Sequence, residues 1–98
     1  MSEQPSAEFR RLHAIVYGRV QGVNFRAATQ WAAAQHRLTG WVRNRPDDTV
    51  ETVAEGPLPA LEAFERFLHA GPPAAWVERV DARYSAATGE FHSFNIRY

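Results

Sequence analysis

The alternation of hydrophobic and polar positions predicts a β-strand near the start of the chain. Leu12, Ala14 and Val16 occupy every second position, so they define one face of a strand over residues 9–17. Gly18 is predicted to end this strand, and a loop follows it.

The next segment changes from this period of two to a helical spacing. Asn24 is a residue type that favours the N-cap position, and the stretch from it to about His36 is rich in Ala, Gln and Arg. The apolar side chains of this stretch fall within one broad stripe, formed by Phe25, Ala28, Trp31 and Ala32. The pattern predicts the first helix.

A hairpin and a second helix follow. Residues 38–44 predict a second strand, residues 45–48 a turn in which Pro46 fixes φ, and residues 49–55 a third strand. Apolar residues then recur every three to four positions, at Leu58, Leu61, Phe64, Phe67 and Leu68. This spacing predicts a second amphipathic helix, which Gly71, Pro72 and Pro73 stop.

Two further strands complete the chain. Residues 76–84 predict a fourth strand, with one face formed by Trp76, Val80, Ala82 and Tyr84. Phe94, Ile96 and Tyr98 alternate in a last short strand. We expect residues 1–8, which are polar and acidic, to form a flexible tail in which Met1–Ser6 lack regular structure, and residues 9–98 to form one domain.

The element order is βαββαβ with an additional C-terminal strand. Each βαβ half makes a right-handed crossover, and two such halves interleave into one sheet with both helices on one face. The prediction is therefore a ferredoxin-like α+β sandwich with a four-stranded antiparallel sheet in the order 4-1-3-2. The partner of the fifth strand is not assigned by this argument.

Composition narrows the classes of function. The 98 residues are 45% hydrophobic, contain no cysteine and have a formal net charge of zero. We expect a cytoplasmic protein, because disulfides are excluded and no apolar run reaches the length of a signal peptide or membrane span. We also expect it to be a monomer. Seven arginines and no acidic residues lie in residues 9–45. The first half of the chain therefore attracts anions, but its excess of positive charge is too modest to predict nucleic-acid binding.

The loop between the first strand and the first helix has the features of a phosphate site. It runs from Gly18 to Arg26 and contains a second glycine, Gly22, before the helix N-terminus. Unpaired amides and the positive end of the helix dipole attract phosphate. The positive charge of Arg26 opposes that dipole, at a cost of roughly 0.3–1 kcal/mol. This cost favours a functional role for Arg26, whose planar guanidinium can bind two phosphate oxygens at once. The alternative is an ordinary strand-to-helix turn that needs glycine.

Asn44 is predicted to lie at the same edge of the sheet as this loop. The first two strands of a right-handed βαβ unit are parallel in direction, so the end of the second strand lies beside the loop that follows the first. A side-chain amide there can donate and accept hydrogen bonds, which suits it to hold a water in line with a bound phosphate. The alternative is a turn-forming asparagine before Arg45 and Pro46.

The residue types that are missing from this region also restrict the chemistry that it can perform. No paired carboxylates can be placed at the loop. The four histidines show no metal-ligand spacing, and we expect them at surface or strand positions; they are His13, His36, His69 and His92. A substrate hydrolysed here needs a leaving group that requires no general acid. Acyl phosphates fit this requirement, because the departing carboxylate is a weak base near pH 7.

The blocks GRVQGVNFR and GWVRN, followed by a strand ending in VAEG and a final FNIRY, closely resemble the acylphosphatases over residues 9–98. The resemblance implies that Arg26 binds the phosphoryl group and that Asn44 positions the attacking water. It also implies phosphate binding by backbone amides, those of Gln21, Gly22, Val23, Asn24 and Phe25. An acyl phosphate is the implied substrate and inorganic phosphate the product and competitive ligand, with no metal, no organic cofactor and no phosphoenzyme.

The chain departs from the family pattern in two turns. Asp48 stands where the family usually has glycine in the hairpin, and Asp tolerates positive φ less well. His36 and Arg37 replace a common Leu-Gly pair, which removes the favoured helix C-cap glycine. These departures bear on local stability and leave Arg26 and Asn44 untouched.

Two other functions compete with an enzyme of this family. One is a non-catalytic phosphate-binding module, since ferredoxin-like domains are often used for recognition. The other is the acylphosphatase-like domain of a larger carbamoyl-transfer maturation enzyme, which the absence of zinc-finger cysteines disfavours.

Overall fold

The computed structural model of the protein describes residues 8–98, so the predicted irregular segment Met1–Ser6 lies outside the described residues and the domain boundary stays a prediction. Seven elements follow one another: β1 (Phe9–Arg19), α1 (Phe25–Gln35), β2 (Thr39–Asn44), β3 (Val50–Pro57), α2 (Leu58–Ala70), β4 (Trp76–Ala86) and β5 (Phe94–Arg97). The predicted βαββαβ order with a last short strand is confirmed.

One sheet contains all five of these strands, in the order β4-β1-β3-β2-β5. β1 is antiparallel to β3 and β4, and β2 is antiparallel to β3, which confirms the predicted 4-1-3-2 core. β5 pairs in parallel with β2, with Ile96 opposite Val42. The last strand therefore forms the sheet edge, and its C-terminal end lies beside the end of β2.

The core lies between one face of the sheet and both helices. Leu12, Ala14 and Val16 of β1 are fully buried, as the alternation predicts. They belong to one cluster with residues of α1 and α2, among them Phe25 and Phe64. Burial of a large apolar side chain stabilises a fold by about 1.5–3 kcal/mol, so this shared layer holds both helices on the same face.

The predicted apolar stripe of α1 is wrong at Trp31. The buried side chains of this helix are those of Phe25, Thr29, Ala32 and Ala33, whereas Trp31 is 65% exposed. Successive residues of a helix are rotated by about 100°, so Trp31 lies about 120° around the axis from Phe25. The stripe is narrower than predicted, and the indole lies at its rim.

The predicted face of β4 is wrong at Trp76, which is 71% exposed. The register between β1 and β4 shifts at a bulge, because Tyr17 pairs with Arg79 while Gly18 pairs with Val77. One extra residue reverses which side chains face the core. Val77 therefore packs against the core in place of Trp76.

This bulge also brings β4 against the start of the loop. Strand β1 continues to Arg19, one residue beyond the predicted end at Gly18. Gly18 has φ of 131°, and a Cβ there would clash with the backbone carbonyl of Trp76. Glycine is required here because another backbone approaches so closely.

Both turns that depart from the family pattern hold a non-glycine residue in the left-handed region. Arg37 has φ of 55° and Asp48 has φ of 71°. At the end of α1 the amide of Arg37 donates to Ala34 O at 3.1 Å and that of Leu38 donates to Ala33 O at 2.9 Å. This is the Schellman arrangement, in which Arg37 occupies the position that favours glycine.

We expect Arg37→Gly to raise the free energy of unfolding by about 0.5–1 kcal/mol. Glycine removes the steric strain that a Cβ causes in the left-handed region, and this gain exceeds the cost of the greater entropy of the unfolded chain. Asp48→Gly should raise the free energy of unfolding by less, since Asp tolerates the left-handed region better than Arg. Urea denaturation measures both. The matched control is Ala34→Gly inside α1, which should lose about 1 kcal/mol. A loss of stability in Arg37→Gly would contradict the assignment of strain.

Glu55 anchors the connection between β4 and β5. Its carboxylate, 4% exposed, accepts hydrogen bonds from the Thr88 amide at 2.9 Å and the Gly89 amide at 3.0 Å. Arg11 Nη1 lies 3.3 Å from the same group. Burial alone raises the pKa of this carboxyl, but the hydrogen bonds from Thr88 and Gly89 and the charge of Arg11 together hold the pKa below its ordinary value.

We expect Glu55→Gln to lower the free energy of unfolding at pH 7 by about 2 kcal/mol, because two amides lose a charged acceptor. The folded pKa of Glu55 is below its ordinary value of 4.5, so this contribution is present above pH 4.5 and is lost as pH falls through the folded pKa. Urea denaturation at pH 7 and pH 3 should therefore show the difference shrinking. A difference equal at both pH values would contradict this account; Glu62→Gln, on the exposed side of α2, is the control.

Candidate active site

The predicted site residues meet in one open cleft. The cleft has a volume of about 250 Å³ and lies where the loop after β1, the first turn of α1, the end of β2 and the end of β5 converge. Its lining comprises Val20, Gly22, Asn24, Phe25, Arg26, Ala27, Asn44, Ile96 and Tyr98. Arg26 and Asn44 are thus brought together, whereas Gln21 and Val23 of the predicted cradle do not line the cleft.

The loop holds its amides in a concave arrangement. Gly22 has φ of 74° and Asn24 has φ of 67°, so two left-handed residues flank Val23. Alternation of this kind turns successive amides toward a common side and makes an anion-binding nest. Within the part of the chain that the structure describes, no backbone amide from Gln21 to Arg26 donates a hydrogen bond to the protein. These donors are available to a ligand.

Asn24 does not act as the predicted side-chain cap of α1. It occupies the N-cap position, but its side chain makes no capping hydrogen bond. A capping side chain normally needs an extended backbone to reach the amides of the first turn, and Asn24 is left-handed instead. The first-turn amides consequently remain unpaired, and the residues that carry them, Phe25, Arg26 and Ala27, line the cleft.

Arg26 carries a charge that no acidic side chain offsets. The first turn of α1 contains no acidic residue, and no carboxylate of residues 8–98 lies within ion-pair distance of its guanidinium. Its Cζ lies 4.8 Å from the ring centroid of Tyr98, a cation–π contact that holds the side chain over the cleft wall. Arg26 therefore brings an uncompensated positive charge to the cleft lining.

Asn44 contributes a buried acceptor without a partner. It ends β2, and its Oδ1 is buried with no hydrogen bond from any described residue. The only other such atom in residues 8–98 is Oγ1 of Thr29, a fully buried residue on the core side of α1. A buried polar atom left unpaired costs about 1–3 kcal/mol. Because Asn44 lines the cleft, a bound water or ligand can satisfy it.

The side chain of Gln21 braces the loop, a role that sequence reasoning missed. Its Nε2 donates to Arg45 O at 2.8 Å and to Thr49 O at 2.9 Å, on either side of the β2–β3 turn. The loop is thereby tied to the turn that begins directly after Asn44. Nothing in the sequence indicates this contact, because its two acceptors are backbone carbonyls more than twenty residues away.

The described residues carry no other catalytic constellation near the cleft. No group of three or more His, Cys, Asp or Glu side chains in residues 8–98 could hold a metal ion. Neither helix of this segment has the length and apolar character needed to cross a membrane.

Comparison with known proteins gives one consistent family. The sequence model of the acylphosphatase family matches residues 12–96. An acylphosphatase of Methylococcus capsulatus is 47% identical over 87 residues, which are 89% of this chain and 95% of that protein. One of Trichormus variabilis is 49% identical over 85 residues, which are 87% of this chain and 84% of that protein.

A solved structure gives the same result in three dimensions. The crystal structure of acylphosphatase from Bacillus subtilis matches with a TM-score of 0.88 and 40% sequence identity, covering 91% of this chain and 99% of that one. With the family model, the sequence relatives and the fold in agreement, the chain belongs to the acylphosphatase family.

Proposed function

We propose that this acylphosphatase hydrolyses carboxyl-phosphate mixed anhydrides by direct in-line attack of water. The water oxygen bonds to phosphorus, the bond between phosphorus and the acyl oxygen breaks, and its electron pair leaves on the carboxylate. The water proton passes to a phosphoryl oxygen, so no separate base is needed. The observation that carries the proposal is one cleft lined by an uncompensated Arg26, unpaired amides and an unpartnered Asn44 acceptor.

Arg26 and the loop amides bind the phosphoryl group in this proposal. Of the predicted cradle, Gly22, Asn24 and Phe25 line the cleft, and their amides donate to phosphoryl oxygens. Donation by the amides of Gln21 and Val23 stays a prediction. Arg26 adds two charge-assisted donors in a planar fork. A loose, metaphosphate-like transition state spreads charge over these oxygens and needs alignment and charge stabilisation more than covalent help. Fixed donors supply both, and we keep the expectation that no metal or organic cofactor takes part.

Asn44 positions the attacking water. Its unpartnered Oδ1 accepts a hydrogen bond from that water and so aligns the lone pair with phosphorus. The same atom argues against a module that only binds phosphate. A buried acceptor repels phosphate oxygens, so it weakens an anion site, whereas it suits a neutral water.

Two finer expectations complete the proposal. The residues assigned roles in this proposal all belong to one chain, so the mechanism needs no second copy, and we propose that the enzyme acts as a monomer. The absence of cysteine is compatible with the reducing cytoplasm, where we propose that the enzyme acts on small acyl phosphates.

Asn44→Ala should reduce turnover of benzoyl phosphate by on the order of a hundredfold or more, because it removes water alignment. Competitive inhibition by inorganic phosphate should change little, since no charge is lost. Phosphate release from purified protein in EDTA measures the rate, and Asn95→Ala, which removes an exposed amide on β5, is the control. Wild-type turnover in Asn44→Ala would show that Asn44 is only a turn residue.

Arg26→Ala should abolish measurable hydrolysis and weaken inorganic phosphate as a competitive ligand at least tenfold, roughly the loss expected for a bidentate charged contact. Arg26→Lys should restore little, because a point charge does not reproduce the planar fork. Stability should be unchanged or slightly higher, since the side chain opposes the helix dipole.

The control for charge is Arg19→Ala, which removes an equal charge at the end of β1 from a residue that does not line the cleft. It should keep wild-type phosphate affinity to within a few-fold. An unfolded Arg26→Ala whose remaining folded fraction kept full activity would mean that Arg26 is structural and that the site is assigned wrongly.

A further inference from the structure

A groove runs along α1 on the side next to β5 and continues from the active cleft. It has a volume of about 540 Å³ and is lined by Ala27, Gln30, Trp31, Ala34, Leu38 and Phe94. Ala27 also lines the active cleft, so the two concavities meet at the first turn of α1. The phosphoryl chemistry described above makes no use of this groove, which we call the α1–β5 groove.

The α1–β5 groove is preformed and apolar. Leu38 and Phe94 are 4% and 8% exposed and give it a fixed floor. Gln30 Nε2 donates to Phe94 O at 3.1 Å and ties α1 to β5 across that floor. None of the lining side chains is charged. A concave apolar lining held rigidly in this way is typical of a site for an apolar ligand group.

Trp31 gives this groove a large aromatic wall. Its side chain is 65% exposed although it borders a concave surface. An indole in this position offers a flat apolar face on which a planar ring can stack, with centroids about 4.5–7 Å apart. A small aliphatic group covers little of that face and gains little from it.

We propose that the α1–β5 groove binds the acyl group of the substrate, so that aryl and other neutral apolar acyl phosphates are preferred over acetyl phosphate. The inference rests on the proposed function, because it takes the phosphoryl group to be held at Arg26. The carbon end of that substrate must leave the cleft, and Ala27 is shared with the groove. A helix rises about 1.5 Å per residue, so Trp31 lies about 6 Å beyond Ala27, within reach of a benzoyl ring and beyond an acetyl methyl.

Trp31→Ala tests the proposal through the ratio of two substrates. We expect kcat/KM for benzoyl phosphate to fall roughly five- to tenfold, as for loss of an aromatic stacking contact, while kcat/KM for acetyl phosphate stays within about twofold. The matched control is Phe9→Ala, which removes a similarly exposed aromatic ring, 63% exposed, at the end of β1 far from the loop, and should change neither value. An equal effect of Trp31→Ala on both substrates, or no effect on either, would overturn the proposal.

A binding measurement separates this inference from the proposed function. Benzoylphosphonate and methylphosphonate resist hydrolysis, and calorimetry reports their affinities without turnover. Wild type should bind benzoylphosphonate more tightly, and Trp31→Ala should remove roughly a five- to tenfold advantage while leaving methylphosphonate unchanged. A wild type that hydrolyses neither substrate refutes the proposed function, yet this comparison still decides the groove. If wild type bound benzoylphosphonate and methylphosphonate with equal affinity, the groove would not be the acyl site. This result is expected if the groove receives a protein partner instead.

Discussion

The active cleft depends on a backbone loop that must be rigid while its hydrogen-bond donors stay unpaired. Most loops become rigid by pairing their own amides, and this one is held from outside. Gly18 lies against the carbonyl of Trp76, so the bulged start of β4 fixes where the loop begins. The Gln21 side chain ties its middle to the β2–β3 turn. Phe25 anchors its end in the core, with its ring centroid 6.2 Å from that of Phe67.

Each of these supports comes from a different part of the fold, and each leaves the concave side of the loop free. A site preorganised in this way loses little free energy to rearrangement when charge develops on a phosphoryl group. The same architecture places Asn44 at the end of β2, beside the loop. The parallel pairing of β5 with β2 then adds the wall that carries Ile96 and Tyr98. The edge strand thus contributes lining residues to the active cleft and to the α1–β5 groove.

Much of this arrangement follows from the sequence because local rules act within single elements. The alternation in β1 and the three-to-four spacing in α2 identify elements that the structure confirms. Arg26 breaks a local rule of helix electrostatics, and the handedness of a βαβ unit places Asn44 at the same edge. The structure does bring these two residues to one cleft, while their catalytic roles remain proposals.

What the sequence did not predict depends on contacts between distant segments. The bulge that exposes Trp76 arises from pairing with β1, more than fifty residues away, and no pattern within β4 announces it. The exposure of Trp31 reflects how far α1 is rotated on the sheet, which the packing of Phe25, Ala32 and Ala33 decides. The partner of β5 and the brace made by Gln21 are likewise tertiary facts.

The central claim is that the unpaired amides of the loop bind the phosphoryl group, and a titration of the isotope-labelled protein with inorganic phosphate tests it most directly. Amide resonances in ¹⁵N-resolved NMR spectra report each donor separately. We predict that the amides of Gly22, Asn24 and Phe25, which line the cleft, shift most and share one dissociation constant, equal to the inhibition constant of phosphate. Unchanged loop amides at concentrations where phosphate inhibits competitively would contradict it.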